Sequence, residues 1–501
     1  MTRLGLRRGA RRIAPLAWPV FVGQVAVIAF STVDTVMVAR TSAIDLAALA
    51  VGASVYISIF VGFMGTVLAV GPIAGQLYGA GKLHESGHEA QQAMWLGLAL
   101  AVPGCLLLLF PDPFLALARS EPAVAARVRQ YLDGLAFALP PALVFTAFRG
   151  FNVAVSRPKA VMALQLGGLA LKVPVNAVLV FGIDAPTPFG TLHLPALGVA
   201  GCGIATALVM WCQLAGTIVL LRRDRFYRRF GLGRGMTIAA PSAASLKALL
   251  RLGVPMGLAV MVEVTGFTFM AFFVSRIGAT AVAGHQVAVN MVSMMFMLPL
   301  AIANASSTLV AQQVGAGDSA DARRIGWAGL EIGVGVAALV GGAVYFLREQ
   351  VVGLYTANPV IVAAALPLLA WVALFHVADA AQTVAAFVLR AYRIATLPLL
   401  IYVVALWGVG LGGGYLAAFD PAGISPTWMH SARGFWSMAT IGLTVAAISL
   451  SALLAWKLRD EAGKAAPTGP APPSLREGAS RIAPTPTPPS EREGPAPLGP
   501  P

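Results

Sequence analysis

Residues 46–70 read LAALAVGASVYISIFVGFMGTVLAV, a run without a single charged side chain. As a helix rising 1.5 Å per residue it measures about 37 Å, enough to cross the ~30 Å hydrocarbon core of a bilayer. Apolar and polar residues do not alternate along it, so a helix is expected rather than a barrel strand. Just beyond it, at 76–81, the chain turns through QLYGAG.

Similar runs recur along the whole chain. They lie near 14–39, 91–110, 128–149, 160–183 and 198–221, then near 250–275, 281–306, 325–347, 359–389, 395–418 and 434–456. An all-α integral membrane protein of about twelve transmembrane helices is predicted. Composition agrees, since 58% of the 501 residues are hydrophobic and 11% charged, against about a quarter charged in soluble domains. The formal charge of +14 does not indicate nucleic acid, because the arginines occupy short polar connections instead of one soluble basic domain. Taking alternate loops together, one side carries Arg3 to Arg12, the run from Arg222 to Arg229, Arg323, Arg324, Arg390, Arg393 and Lys457. The other has only Arg40, Arg119, Arg127, Arg129, Arg276, Arg348 and Arg433. The positive-inside bias then places both termini in the cytoplasm.

The Arg-rich start imitates a signal peptide, but the apolar stretch after it is of full spanning length, contains an acid and is followed by further spans, so it is read as the first helix. Cys105, Cys202 and Cys212 lie in apolar stretches without a CxxC pattern and receive no function. The expected organisation is a basic cytoplasmic N-terminus at 1–12, a six-helix bundle at 13–221, a cytoplasmic linker at 222–248 and a second six-helix bundle at 249–457. A disordered Pro-rich cytoplasmic tail is expected at 458–501.

The two halves are copies. A shift of about 236 residues lays Pro19 on Pro255, Val38 on Val274, Arg40 on Arg276 and Ala47 on Ala283. QLYGAG at 76–81 falls on QQVGAG at 312–317, and Gly198 on Gly434. Because six spans is an even number, both copies enter the membrane in the same direction, and two parallel-repeat bundles around a central cleft are implied. Such an architecture suits alternating access.

These residues resemble the multidrug and toxic compound extrusion (MATE) family, in its NorM-like branch. The resemblance is carried by Val33-Asp34-Thr35-Val36-Met37, QLYGAG, Gly253-Val254-Pro255 with Glu263, Ala283-Gly284-His285-Gln286-Val287-Ala288-Val289-Asn290, and QQVGAG, over roughly residues 15–455. It implies a secondary antiporter in the cell inner (plasma) membrane that exports amphipathic organic cations and other drugs, driven by inward movement of Na+ or H+. Small-molecule drugs and membrane lipid are the expected partners, with no nucleic acid, and a monomer is expected. The resemblance also places Glu263 and Asp379 on the family's cation-coupling carboxylates.

The buried charges support a transport pathway independently. An ionisable residue within a span costs about 2.5–3.5 kcal/mol on insertion scales and marks a pathway. Asp34, Lys172, Glu263 and Asp379 each lie at least a turn inside a predicted span. Counted from the cytoplasmic ends of the seventh and tenth spans, Glu263 lies about 18 Å deep and Asp379 about 16 Å. They share a level, where with the Gln286 oxygen they can hold a hard cation such as Na+ or share a proton. Asp34 and Asn176 share a level counted from the external side, as substrate-binding or protonation candidates. Lys172, one turn from Asn176, is either a structural counter-ion of Asp34 or a transport group. In the archaeal branch a further carboxylate follows this asparagine by one turn; here the residue is Val180.

His376 and Phe375 precede Asp379 by about one turn. His376 is a proton-relay candidate set against a hydrogen-bonded core histidine. Phe375 is a cation–π candidate set against a lipid-facing aromatic. Glu331, near the start of the ninth span, is expected to reach the interface.

QLYGAG and QQVGAG lack the Lys and Ser/Thr spacing of a P-loop. No zinc spacing, nucleophile elbow or nucleotide fingerprint is present, so no enzyme and no cofactor is expected, and energy must come from an ion gradient. The alternative function is a flippase or exporter of a lipid-linked or other endogenous amphiphile. Such a flippase calls for several basic residues in its cleft, and the spans offer Lys172 alone.

Overall fold

The computed structural model describes residues 3–118, 121–187, 190–233, 238–421 and 423–465. Among the described residues, 12 helices are long and apolar enough to cross a membrane. In chain order the first half comprises α1 (Arg3–Val38), α2 (Ala43–Val67), α3 (Val70–Gly79), α4 (Leu83–Leu109), the short α5 (Asp112–Ala118), α6 (Pro122–Ala154), α7 (Pro158–Phe181) and α8 (Gly198–Arg223). Helices α2 and α3 together form the second span. The second half comprises α9 (Ala243–Ser275), α10 (Ala279–Ala316), α11 (Ser319–Phe346), the short α12 (Arg348–Tyr355), α13 (Pro359–Ala391), α14 (Thr396–Tyr402), α15 (Gly413–Phe419) and α16 (Ala432–Ala465).

The repeat is visible in local geometry. Helices α6 and α13 each open on a proline, Pro122 and Pro359. Proline suits the first helical turn because its missing N–H has no partner there anyway. After each helix the second residue on is left-handed, Ser156 at φ 60° and Arg393 at φ 60°. Gly81 and Gly317, which close the two copies of the QxxGAG motif, have φ 76° and 78°, a conformation that costs a residue without a Cβ nothing.

Three departures from the sequence reading concern boundaries. Helix α1 begins at Arg3, so the basic stretch is helical and not a separate segment; Arg7, Arg8, Arg11 and Arg12 stay exposed while Ile13 is buried. Gly9 permits this, since a Cβ there would come within 2.5 Å of the Ala328 Cβ. Helix α16 continues to Ala465, past the expected start of the tail at 458; residues 466–501 of that predicted tail lie outside the described residues. Between α7 and α8, β1 (Ile183–Thr187) and β2 (Gly190–Leu194) pair antiparallel, Ile183 opposite Leu194 and Thr187 opposite Gly190.

The bundles exchange the ends of their first helices. One hydrophobic core gathers the first half together with Leu249, Leu252 and Met256 of α9. The core of the second half takes in Ile13 and Ala17 of α1. Where α2 meets α9, small residues let the backbones touch: a Cβ on Gly65 would lie 2.6 Å from the Gly257 Cα. Lipid supplies no hydrophobic drive between helices, so such close packing of small residues carries the association.

The linker after α8 is not loose either. A 3₁₀ turn, Arg225–Phe230, buries Tyr227 and Phe230, and the Tyr227 hydroxyl donates to Asn152 Oδ1 at 2.7 Å. Further on, the Ala239 N–H donates to Gln91 Oε1 at 2.7 Å, the Ser242 N–H to Gln92 Oε1 at 2.7 Å, and Trp95 Nε1 to the Ala239 carbonyl at 2.9 Å. Side chains of α4 therefore strap this segment down.

Candidate functional site

Two clusters of buried charge occupy the spans, one per bundle. In the first, Lys172 Nζ lies 2.8 Å from Asp34 Oδ1 and donates to Thr206 Oγ1 at 2.5 Å. Asn176 Nδ2 donates to the same Asp34 oxygen at 3.2 Å. The Lys172 ammonium is fully buried, also facing the Phe30 ring at 6.0 Å. One-turn spacing on α7 puts Lys172 and Asn176 on one face, and α1 brings Asp34 against it. Asp34, Lys172 and Asn176 thus meet as sequence depth predicts, and Lys172 takes the counter-ion position. An unpaired ammonium at this depth is costly, and the carboxylate neutralises it.

The second cluster joins α9, α13 and α14. Glu263 and Asp379 lie within electrostatic reach of each other. Asp379 Oδ1 accepts from Gln382 Nε2 at 2.9 Å, and that amide also meets Thr383 Oγ1 at 2.9 Å. The Gln382 carbonyl in turn accepts a hydrogen bond from the Tyr402 hydroxyl. Arg390, assigned from sequence to a loop, is buried, and its charge reaches Glu263. Glu263 also borders a cavity lined by Phe267, Met270, Phe375, Leu411 and Phe435.

Gln286 does not join this cluster. It is exposed, while its neighbour His285 is buried and accepts from Trp436 Nε1 at 3.2 Å. A helix turns about 100° per residue, so α10 can present only one of the two inward. The amide partner of Asp379 is Gln382, three residues on along its own helix; the i, i+3 spacing was available in the sequence. His376 is buried with neither ring nitrogen hydrogen-bonded among the described residues. Phe375 is not lipid-facing: its ring packs on Phe267 at 5.9 Å and Trp436 at 5.8 Å and lines the cavity.

Between α14 and α15 the chain forms a π-helical stretch, Val403–Gly412. There Trp407 Nε1 donates to the Val262 carbonyl at 3.0 Å, next to Glu263. A Cβ on Gly442 of α16 would come within 2.8 Å of the Gly410 nitrogen, so the wide turn is packed tightly from behind. π-Helical turns concentrate at functional sites.

Chemically, the second cluster offers two carboxylates, an amide and two hydroxyls, hard oxygen donors suited to a small cation or a shared proton. Among the described residues no group of three or more His, Cys, Asp or Glu side chains forms a metal site.

The chain matches the MatE family model over residues 19–178 and 255–416, segments that begin at the repeat-related Pro19 and Pro255. It is 40% identical over 452 residues to the "Probable multidrug resistance protein NorM" of Aromatoleum aromaticum, covering 90% of this chain and 94% of the relative. To the "Multidrug resistance protein PmpM" of Pseudomonas aeruginosa it is 33% identical over 457 residues, 91% and 93% of the two chains. Among solved structures, the eukaryotic MATE transporter AtDTX14 superposes with a TM-score of 0.80 at 18% identity, covering 92% of this chain and 99% of the other. The Vibrio cholerae MATE transporter VcmN in its bent form gives 0.78 at 17% identity, with 92% and 99% covered.

Proposed function

The chain belongs to the MatE family of multi-pass membrane transporters, and from that premise we propose that it is a multidrug efflux antiporter. It exports amphipathic organic cations and other drugs by alternating access of the cleft between its bundles. Both termini and the Arg-rich linker face the cytoplasm, and the membrane is the cell inner membrane. Each chain carries a complete pair of bundles and works as a monomer.

The observation that carries this reading is the pair Glu263 and Asp379. Half-buried Glu263 and buried Asp379 repel each other within the spans, Arg390 reaches Glu263 alone, and a Na+ ion or proton that joins the two acids relieves the repulsion. Na+ or H+ entering down its gradient binds there, held with Gln382 and Tyr402, and the neutralised cluster lets the second bundle change its packing. The cavity beside Glu263, with its Phe267, Phe375 and Phe435 rings, gives that movement room. Release of the ion inward resets the cycle. In the first bundle, Asp34 is held by Lys172 and Asn176 and serves as a substrate-binding or protonation group through exchange of that pair.

Names of curated relatives such as NorM and PmpM, which are called multidrug resistance proteins, support the substrate class. A flippase of anionic lipid-linked precursors is disfavoured because the two buried cations of the clusters already face acids, Lys172 at Asp34 and Arg390 at Glu263.

Efflux of a fluorescent dye or a fluoroquinolone from a pump-deficient host tests the proposal. The parent chain lowers drug accumulation, and Glu263→Gln or Asp379→Asn abolishes the effect at equal membrane abundance. Unchanged efflux in both variants removes the role of the pair.

A further inference from the structure

The motif present in both halves, QLYGAG at 76–81 and QQVGAG at 312–317, supplies none of the acids, bases or amides described in the two charge clusters. Its glutamines reach across to the opposite bundle. Gln76 Nε2 donates to the carbonyl of Ala391, the last residue of α13, at 2.7 Å. Gln312 Nε2 donates to the carbonyl of Ala154, the last residue of α6, at 2.7 Å, and to Ser156 Oγ at 2.8 Å. The acceptors are themselves repeat mates, each followed two residues later by the left-handed Ser156 or Arg393.

The backbone contact is reciprocal as well. A Cβ on Gly79 would strike the Gln312 carbonyl, and a Cβ on Gly315 the Gln76 carbonyl. Each glycine therefore admits the segment that carries the other copy's glutamine. Nearby, at the same end of the molecule, Arg12 pairs with Asp321 at 2.6 Å and the Ser245 hydroxyl donates to Glu89 at 2.7 Å. The Arg12 pair is solvent-exposed, and such pairs contribute little. The glutamine bonds are the ones whose loss bears on the whole seam.

Their acceptors are suited to reversible use. The last carbonyls of a helix have no partner within it. The turn after α6 closes on the Asn152 and Val153 carbonyls, and the turn after α13 on those of Leu389 and Arg390, passing over Ala154 and Ala391. An amide from the facing bundle satisfies each of these while the seam is shut, and water satisfies it when the seam opens. One such bond is a modest bias, about fivefold in an equilibrium.

We propose that Gln76 and Gln312 are positioning residues of the transport cycle, two reciprocal latches that hold the cytoplasmic seam shut and must both release before the cleft opens inward. The proposal rests on the alternating-access reading above. It adds the residues that set the balance between the two states.

The test measures the seam directly. Lys159 and Thr396, exposed at the starts of α7 and α14, are replaced by cysteine in a chain whose Cys105, Cys202 and Cys212 are alanine. Both sites are spin-labelled, and distances are measured by double electron–electron resonance in proteoliposomes. Gln76→Glu and Gln312→Glu keep the side-chain shape but remove the donor. Each single variant should raise the ratio of long to short distances about fivefold, and the pair roughly 25-fold. Gln76→Lys, which retains a donor of similar reach, should restore the parent ratio.

Distance distributions identical to the parent in the Glu variants overturn the latch, whatever their yield or melting temperature. If the double variant does not insert, the singles decide on the same criterion. A parent that keeps one distance under every imposed Na+ or pH gradient, with or without drug, counts against the transport cycle. A parent that moves while the Glu variants merely match it counts against the latch alone.

Discussion

Lys172 Nζ lies 2.8 Å from Asp34 Oδ1, with the ammonium wholly out of contact with solvent. Removing one partner of such a pair strands a buried charge, at a cost of about 3–5 kcal/mol. Lys172→Met should therefore lower thermal stability in detergent markedly, and Asp34→Asn alone should do so too by orphaning the ammonium. The double variant Asp34→Asn/Lys172→Met should recover most of the loss. A melting series with additive effects would show that the two groups do not act as a pair.

Tyr402 acts on Asp379 through Gln382. Tyr402→Phe removes the hydroxyl and frees the Gln382 carbonyl, with little change in volume. The expected result is a shift of about fivefold in the ion concentration giving half-maximal efflux, corresponding to one hydrogen bond. Protein abundance should stay level. An unmoved ion dependence would separate Tyr402 from the ion site.

Close approach of α2 and α9 sets a packing test. Gly257→Val places side-chain atoms against Thr66 Oγ1, 2.8 Å from where a Cβ would stand. Overpacking of this kind costs about 1–3 kcal/mol. Gly335→Ala, with nothing within 4 Å of its would-be Cβ, is the control and should be neutral or slightly stabilising. Equal melting temperatures for the two variants would contradict the fold at this crossing.

On the cytoplasmic face, the Asp224 carboxyl is held below its ordinary pKa, first by the Phe226 N–H and then by the Arg157 guanidinium at 2.5 Å. A depressed folded-state pKa stabilises the strap above the unfolded value, near 3.9, and that contribution is lost as pH falls through the folded value. Hydrogen-exchange protection of the linker turn, taken relative to the intrinsic rate at each pH, should fall on acidification below about pH 4. Asp224→Asn should exchange fast at neutral pH and lose this acid dependence.

The twelve spans, the parallel repeat and the meeting of Asp34, Lys172 and Asn176 were legible in the sequence. Apolar run length and depth along a helix axis are one-dimensional quantities. Rotation about that axis is not, which is why Gln286 was expected inside and is exposed, while His285 beside it is buried. Arg390 was assigned to a loop because it ends an apolar run; its long side chain returns into the bundle. The π-helical stretch looked like an ordinary glycine-rich span, since nothing in WGVGLGG sets a helix's winding apart from tertiary packing by α16. The exchange of the N-terminal portions of α1 and α9 between bundles was equally invisible, because hydrophobic periodicity says which face is buried and not by whom.

Ion-driven transport runs through Glu263 and Asp379. Purified protein in proteoliposomes, given an imposed Na+ or pH gradient and a fluorescent organic cation, measures it. The parent should accumulate the cation only when one of the gradients is present, and Glu263→Gln and Asp379→Asn should each lower gradient-driven transport roughly tenfold or more. Full transport by both variants, or accumulation by the parent that ignores both gradients, would contradict it.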